Sequence, residues 1–312
     1  MLTPGSGDAT DNPGWKRCFR APGAMTLGLW MPIEAVWRAT PALVDQERLA
    51  RRAEELGFAA LWLRDIPLRD PSFGDVGQVH DVFVYLAWLA AHTQTIALAT
   101  GAVVLPLRHP LHVAKAAASI DQLSRGRLIL GIASGDRPIE FPAFGRSRDD
   151  APAEVRAALD AIRLALRGDA PADVVPKPVA RELPIVVAGH AGQSLEWIAT
   201  NAHGWITWPR PPEHQAALVR SWREAVAASG AAHKPLAKAL FVDLATDPDL
   251  DAWPIRLGVR VGRNRLLALL EQLEASGIDH VALSLTPGHR PASEVLDELG
   301  EWILPRFAAT RS

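Results

Sequence analysis

From Thr26 onward, short runs of apolar and β-branched residues alternate with longer stretches of helical period. The runs are Thr26–Met31, Ala59–Leu63, Ile96–Leu105, Arg127–Ala133, Pro184–Ala188, Trp205–Trp208, Ala239–Leu244 and His280–Leu285, and each reads as a strand. Between them apolar residues recur at i, i+4 and i+7: Leu49, Ala53 and Leu56; Val113, Ala117 and Ile120; Val155, Leu159 and Ile162; Leu266, Leu270 and Leu273. That spacing gives helices with one buried stripe. Gly57, Gly126, Gly204 and Gly277 fall where a residue free to take φ > 0 closes a helix before the next strand. Eight such βα units over ~290 residues predict an α/β fold, a (β/α)8 TIM barrel, since a doubly wound sheet usually has fewer strands. Segments such as IALATGAVVL and LPIVVA are apolar on both faces, as strands are when one face fills a barrel and the other meets helices.

Three irregular pieces interrupt the repeat: Arg137–Pro152, Gly168–Leu183 and Asp247–Val261. They predict loop insertions after strands four and seven, placed to act as lids or dimer contacts. No Gly/Ser linker divides the chain, so residues 25–310 are expected to form a single barrel domain. Residues 1–24 are expected to be a disordered or extended tail. Its first part, Met1–Gly14, is rich in Gly, Pro, Asp and Thr and lacks the apolar core of a signal peptide.

Composition narrows the partners. Of 312 residues, 48% are hydrophobic and 22% charged, enough apolar residue to build a core without disulfides or metal. Lys plus Arg (33) nearly balance Asp plus Glu (35), for a formal charge of −2, so no nucleic acid or acidic membrane is expected as partner. A small molecule fits better. Cys18 is the only cysteine, which removes intramolecular disulfides and thiolate metal sites and fits a reducing, cytoplasmic setting. The longest apolar runs, Val82–Ala91 and Ile96–Leu107, are shorter than the ~20 residues of a membrane-spanning helix.

In a (β/α)8 barrel, active sites form from loops at the C-terminal ends of the strands. Those ends supply Glu34, Asp65, Thr100 with Gly101, Ser134–Arg137, His190–Ser194, Trp208 with Arg210, Asp243 and Thr286. The run GHAGQS, Gly189–Ser194, stands between a strand and a helix. Small residues there allow peptide N–H groups and a hydroxyl to converge on a phosphate, with Arg210 adding a charge. The same glycines equally make a tight turn with Ser194 as N-cap, and both readings stand at this level. Asp136 and Arg137 have a similar ambiguity, since they can simply pair at the barrel rim. No H-E-x-x-H, G-x-S-x-G, Walker or G-x-G-x-x-G pattern occurs, so metal, hydrolase, NTPase and dinucleotide readings lose their main support. Eleven tryptophans against one tyrosine is an unusual ratio, and Trp30, Trp62 and Trp208 lie in or at the ends of strands one, two and six. They either fill the barrel or wall a pocket for a planar or greasy ligand.

The segments ELGFAALWLRD (Glu55–Asp65) and IALATGAVVLPLRHPLHVAKAAASIDQLSRGRLILGIASGDRP (Ile96–Pro138) carry a resemblance. The third-strand TG, the RHP, the helix KAAASIDQLS and the following GRL-x-LGI resemble the bacterial luciferase-like flavin monooxygenase superfamily. With Trp62–Gln78, Gly135–Gly145 and Ser194–Pro211 the chain is similar to its luciferase-type oxidoreductase subgroup, from about Thr26 to Phe307.

The resemblance implies a flavin-dependent oxidoreductase, a monooxygenase using reduced FMN from a separate flavin reductase and O2 on a small organic substrate, and it implies a homodimer through helices two and three. FMN would rest on Thr100, Gly101, Ala102 and Val103, where the superfamily often has a strained or cis peptide. Ser134 and Gly135 would flank it. Its phosphate would meet Gly189, His190, Ala191, Gly192, Gln193 and Ser194, helped by Trp208, Pro209 and Arg210. Trp30, Glu34 and Trp62 would line the substrate pocket, and no metal is implied. Many relatives place a histidine after the acidic residue at the end of strand two. Here Ile66 follows Asp65, which shifts proton handling to Asp65, Arg137, His109 or His190. Two alternatives stand beside this reading: an F420-dependent hydride-transfer oxidoreductase, and a flavin-binding barrel without turnover.

Overall fold

A computed structural model describes residues 8–36, 40–70, 72–73, 79–168, 173–210 and 212–308. Residues 1–7 of the expected tail, 71 and 74–78 of the Trp62–Gln78 stretch, 169–172 of the piece after Gly168, and Pro211 lie outside the described residues. The strands are β1 (Thr26–Trp30), β2 (Ala60–Leu63), β3 (Ala97–Thr100), β4 (Val103–Val104), β5 (Leu128–Ala133), β6 (Ile185–Ala188), β7 (Gly204–Thr207), β8 (Leu236–Leu244), β9 (Trp253–Ile255), β10 (Gly258–Val261) and β11 (His280–Ser284). Strands β1, β2, β3, β5, β6, β7, β8 and β11 run parallel in that order. Pairing of β11 with both β8 and β1 closes them into a barrel. All eight expected strands are present, so the fold is the (β/α)8 barrel.

The helices are α1 (Pro13–Cys18), α2 (Gln46–Leu56), α3 (Val82–His92), α4 (Pro110–Leu123), α5 (Glu140–Ala143), α6 (Ala151–Arg167), α7 (Leu195–Asn201), α8 (Pro212–Ala228), α9 (Arg263–Ala275), α10 (Ala292–Trp302) and α11 (Leu304–Phe307). The apolar stripes of α2, α4, α6 and α9 pack with the outward strand residues Leu27, Leu29, Leu61, Leu98 and Leu130 in one continuous core. Residues of the other parity, including Trp30, Ala60, Trp62, Ala97, Ala99, Ile129, Val186, Ile206, Ala237, Ala239 and Ala282, form a separate cluster inside the barrel. Period-two alternation thus separates the two cores.

The expected disordered tail needs correction over its described part. Trp15, Cys18 and Phe19 follow a helical i, i+3, i+4 spacing, and all three are buried in the barrel-interior cluster. Asn12 caps α1 by accepting from the Trp15 N–H (3.0 Å) and donates to Asp121 Oδ1 (3.2 Å). A Cβ at Gly14 would lie 2.3 Å from the Arg127 carbonyl oxygen, so only glycine lets α1 approach the barrel this closely. Helix α1 therefore closes the N-terminal end of the barrel.

Two further expectations change. Gly57, Gly126 and Gly277 take positive φ after α2, α4 and α9, but Gly204 is the first residue of β7 and α7 ends on the extended Ala202. The segment Asp247–Val261, expected to be irregular, contains the antiparallel pair β9–β10, and β10 adds to the outside of β8.

Candidate active site

At the C-terminal end of the barrel a cleft of about 220 Å³ opens between the ends of β2, β3, β5, β6 and β7. Its floor is the Gly101–Ala102 peptide, which is cis, between β3 and β4. A Cβ at Gly101 would stand 2.3 Å from Trp30 Cη2, so glycine is required there for the indole to pass underneath. Trp30 stacks on Trp208 (centroids 5.9 Å, 22°) and meets Trp62 at 6.1 Å. Trp208 lines the cleft, whereas Trp30 and Trp62 are buried beneath it.

Trp62 belongs to a hydrogen-bond chain along the barrel axis. Its Nε1–H donates to His280 Nε2 (2.9 Å), which leaves His280 Nδ1 to donate to Thr26 Oγ1 (2.7 Å). The Thr26 hydroxyl donates in turn to the Cys18 carbonyl. Every member is satisfied only with a neutral imidazole, and burial pushes the His280 pKa down to about 3. This chain fills the barrel and does not line the cleft.

Asp65 reaches the cleft rim but is committed. Its two oxygens accept from Arg108 Nε (2.8 Å) and Nη2 (2.6 Å), and Oδ2 also accepts from the Val104 N–H (3.1 Å). Arg108 Nη2 also donates to Asp81 (2.8 Å), whose other oxygen caps α3 through the Phe83 and Val84 N–H groups. Burial works against the Arg108 charge, and the two carboxylates overcome it and raise its pKa above the ordinary arginine value. Asp65 thus clamps the turn between β3 and β4. His109 is the exposed N-cap of α4, its Nδ1 facing the Leu111 N–H (3.3 Å), and it does not line the cleft. The Glu34 carboxylate accepts from the Ala42 and Leu43 N–H groups (2.8 and 2.9 Å) and also lies outside the cleft.

The remaining expected residues divide along similar lines. Gly101, Ala102, Ser134, Gly135, Arg137, Gly189, His190, Ala191 and Trp208 line the cleft. Thr100 does not, because its hydroxyl donates to the Gly131 carbonyl and accepts from the Gly131 N–H (both 2.7 Å) inside the barrel wall. Val103 is fully buried in the outer core, and Val104 faces the cleft instead. Gly192 packs on Pro152, Gln193 is bound to Arg156, Pro152 and Ala191, and Ser194 caps α7 through the Trp197 N–H. Pro209 and Arg210 follow Trp208 outside the lining.

Arg64, Ile66, Ala133, Asp136 and Ala188 also line the cleft. The signal for Arg64 was present in the sequence: Ala60 and Trp62 point inward, so Arg64 continues that parity past the end of β2. Arg137 is buried, with its guanidinium 4.5 Å from the Phe73 ring centroid. Arg256, in the turn between β9 and β10, donates to the Phe73 carbonyl (2.9 Å), so the loops following β2, β5 and β8 meet at Phe73. Behind Arg137, Glu140 is buried with one oxygen lacking a hydrogen-bond partner. Burial raises its pKa to about 7 against the opposing Arg137 charge and Leu68 N–H, with Asp136 and Asp65 pushing it further up. Among the described residues no three His, Cys, Asp or Glu side chains converge where a metal ion could sit.

Residues 25–254 match the family model for luciferase-like monooxygenase. The chain belongs to the luciferase-like monooxygenase family. An uncharacterized protein of Mycobacterium tuberculosis is 33% identical over 189 residues, 52% of this chain and 66% of its own length. The 4-hydroxyprotoasukamycin monooxygenase of Streptomyces nodosus subsp. asukaensis is 32% identical over 39% of this chain and 32% of its length. The match thus spans about two thirds or less of these relatives.

Among solved structures, the monooxygenase RslO1 from Streptomyces bottropensis superposes with a TM-score of 0.78 at 23% identity, covering 91% of this chain and all of that one. An F420-dependent secondary alcohol dehydrogenase gives 0.75 at 17%, covering 91% and 99%. The oxygenating constituent of 3,6-diketocamphane monooxygenase of Pseudomonas putida, in complex with FMN, gives 0.71 at 15%, covering 92% and 100%. At these identities the likeness is one of fold: all three share the barrel described above.

Proposed function

We propose that this protein is a flavin-dependent oxidoreductase, a monooxygenase that uses reduced FMN and dioxygen on a small organic substrate, with the FMN reduced by a separate reductase. The observation that carries this reading is the cleft itself. Its donor set suits a planar ring with an anionic tail: an apolar floor at Ala102, Val104 and Ile66, an indole wall at Trp208, and the cations Arg64 and Arg137. Of the two acids in its lining, Asp65 is neutralised by Arg108, which leaves Asp136 as the remaining carboxylate. Gly189 adds a cradle, since its φ of +58° comes with open space where a Cβ would point. The cleft is smaller than the roughly 300 Å³ at which pockets usually bury a ligand whole, so FMN would project beyond it along the Gly189–Ala191 turn.

When bound, FMN supplies the redox chemistry and the reaction with dioxygen. This chain's own residues bind, orient and exclude water. Trp208 and Ala102 would hold the ring and Arg64 and Arg137 would meet its negative charge, with Phe73 packed against Arg137. Asp65 and His109 are already engaged and Arg137 is assigned to the cofactor's negative charge, so among the expected acid–base groups the exposed, cleft-lining His190 is the one placed to carry a proton. A homodimer through the second and third barrel helices, α3 and α4, belongs to the same proposal, with Val84 and Trp88 exposed at i, i+4 on α3. No helix among the described residues is long and apolar enough to cross a membrane.

The test is an anaerobic titration of the full chain with oxidised FMN, reduced FMN and F420, read by fluorescence and absorbance. The reading expects FMN to bind at micromolar Kd or better in at least one redox state, and Ala102→Trp to weaken it at least tenfold. Binding of F420 alone transfers the site to hydride chemistry, and binding of neither cofactor removes the proposal.

A further inference from the structure

A second cavity, of about 330 Å³, lies beside the cleft, and the two share Asp65 and Ile66 as a common wall. Its other apolar lining comes from Pro67, Val79, Leu107 and Phe144, and its charged side from Asp65, Arg108 and Asp81. Those three groups are paired with one another, two carboxylates on one guanidinium, which leaves a net charge of −1. All four carboxylate oxygens accept hydrogen bonds from Arg108 or from backbone N–H groups, and Arg108 Nε and Nη2 are both donated. An anion would meet that excess negative charge, and a cation would find every carboxylate oxygen already accepting from Arg108 or a backbone N–H, so burying either there would be costly. Arg108 Nη1 makes no hydrogen bond among the described residues, so one guanidinium edge remains for a neutral acceptor atom.

We propose that this side chamber is the binding site of the organic substrate: a small, uncharged, mainly apolar molecule with one hydrogen-bond acceptor turned toward Arg108. Ile66 is the partition between chamber and cleft, and it sets how far the molecule reaches toward the cofactor. The assignment rests on the cofactor reading of the cleft. It also gives Ile66 a positive role, because an aliphatic side chain at the shared wall seals the cleft against water while remaining compatible with an apolar neighbour. The exposed ring of Phe144 stands in the chamber lining where an entering molecule would first meet apolar surface.

The probe is cyclohexanone, followed by saturation-transfer NMR on the full chain, with FMN titrated in parallel by fluorescence. The wild type is expected to show saturable cyclohexanone binding that persists when FMN is bound. Leu107→Trp, which fills the chamber, is expected to weaken cyclohexanone at least tenfold and leave the FMN Kd within threefold. Ile66→Ala is expected to keep cyclohexanone binding but make it compete with FMN.

Unchanged cyclohexanone binding in folded Leu107→Trp overturns the chamber, as does competition with FMN already in the wild type. Should Leu107→Trp not fold, wild-type crystals soaked in bromocyclohexane decide. Anomalous density between Ile66 and Phe144 supports the assignment, and density confined to the cleft or absent overturns it. Failure of the cofactor reading appears separately, as absent FMN binding whatever cyclohexanone does.

Discussion

Asp65 and Glu140 show how the same chemical group is made inert or responsive by its partners. Asp65 faces a guanidinium fork and an N–H, and both its oxygens are taken up by those bonds. Glu140 is buried with an unpartnered oxygen, and its proton is held up to about pH 7. The sign of the resulting pH dependence follows from the pKa being higher in the folded chain than the ordinary 4.5. The folded state binds the proton more tightly, so stability is intact below about pH 4.5 and is lost as pH rises through about 7. Glu140→Gln removes that loss, and any constant cost of the amide does not vary with pH. Relative to wild type, the variant is therefore expected to gain roughly 3 kcal/mol between pH 4.5 and 8, measured by urea unfolding at each pH. A difference that stays flat across that range would show that the carboxyl ionises freely.

At the scale of elements, the sequence made the barrel legible because strands apolar on both faces mark a parallel sheet covered on both sides, and eight of them fit a closed barrel better than a doubly wound sheet. It failed where composition hid a pattern. The Gly/Pro-rich start of the chain concealed the Trp15, Cys18, Phe19 stripe; β9 is three largely exposed residues around a proline, and β10, although it alternates, is only four residues long. The site was legible in outline, as strand ends, and misplaced in detail. Thr100 and Val103 were expected in the cleft where Ala102 and Val104 stand, because a residue's facing across the β3–β4 break is decided by backbone geometry that spacing does not encode. Asp65 was expected to be catalytic because its partner Arg108 lies 43 residues on, too far for a local signal.

Helix α1 supplies a test at this scale. Trp15 packs on Phe19 at 4.5 Å inside the barrel end. Trp15→Ala should lower unfolding stability by about 3–5 kcal/mol while leaving FMN affinity unchanged, since the cleft is at the other end. A loss under about 1 kcal/mol would place the plug outside the cooperative fold.

Considered as a whole molecule, the barrel is closed at one end and ringed by loops at the other. Helix α1 and the His280 chain seal the N-terminal end, and tryptophans fill the axis up to the Gly101–Ala102 floor, so a ligand enters and leaves through the loops alone. Those loops are tied at one residue. Phe73, from the β2–α3 connection, receives the Arg137 guanidinium on its ring and the Arg256 hydrogen bond on its carbonyl. Loops following β2, β5 and β8 thereby meet beside Arg137 at the cleft edge, and separating them must break at least one of these contacts. Phe73→Ala removes the ring and keeps the carbonyl, so it isolates the cation–π contact, worth about 0.5–2 kcal/mol. The dissociation rate of bound FMN, measured by stopped-flow dilution, is therefore expected to rise about 2- to 30-fold, with the association rate changed much less. A parallel rise in both rates would mean that the ring blocks the entrance without holding the loops together, and unchanged rates would place the exit path elsewhere among the loops.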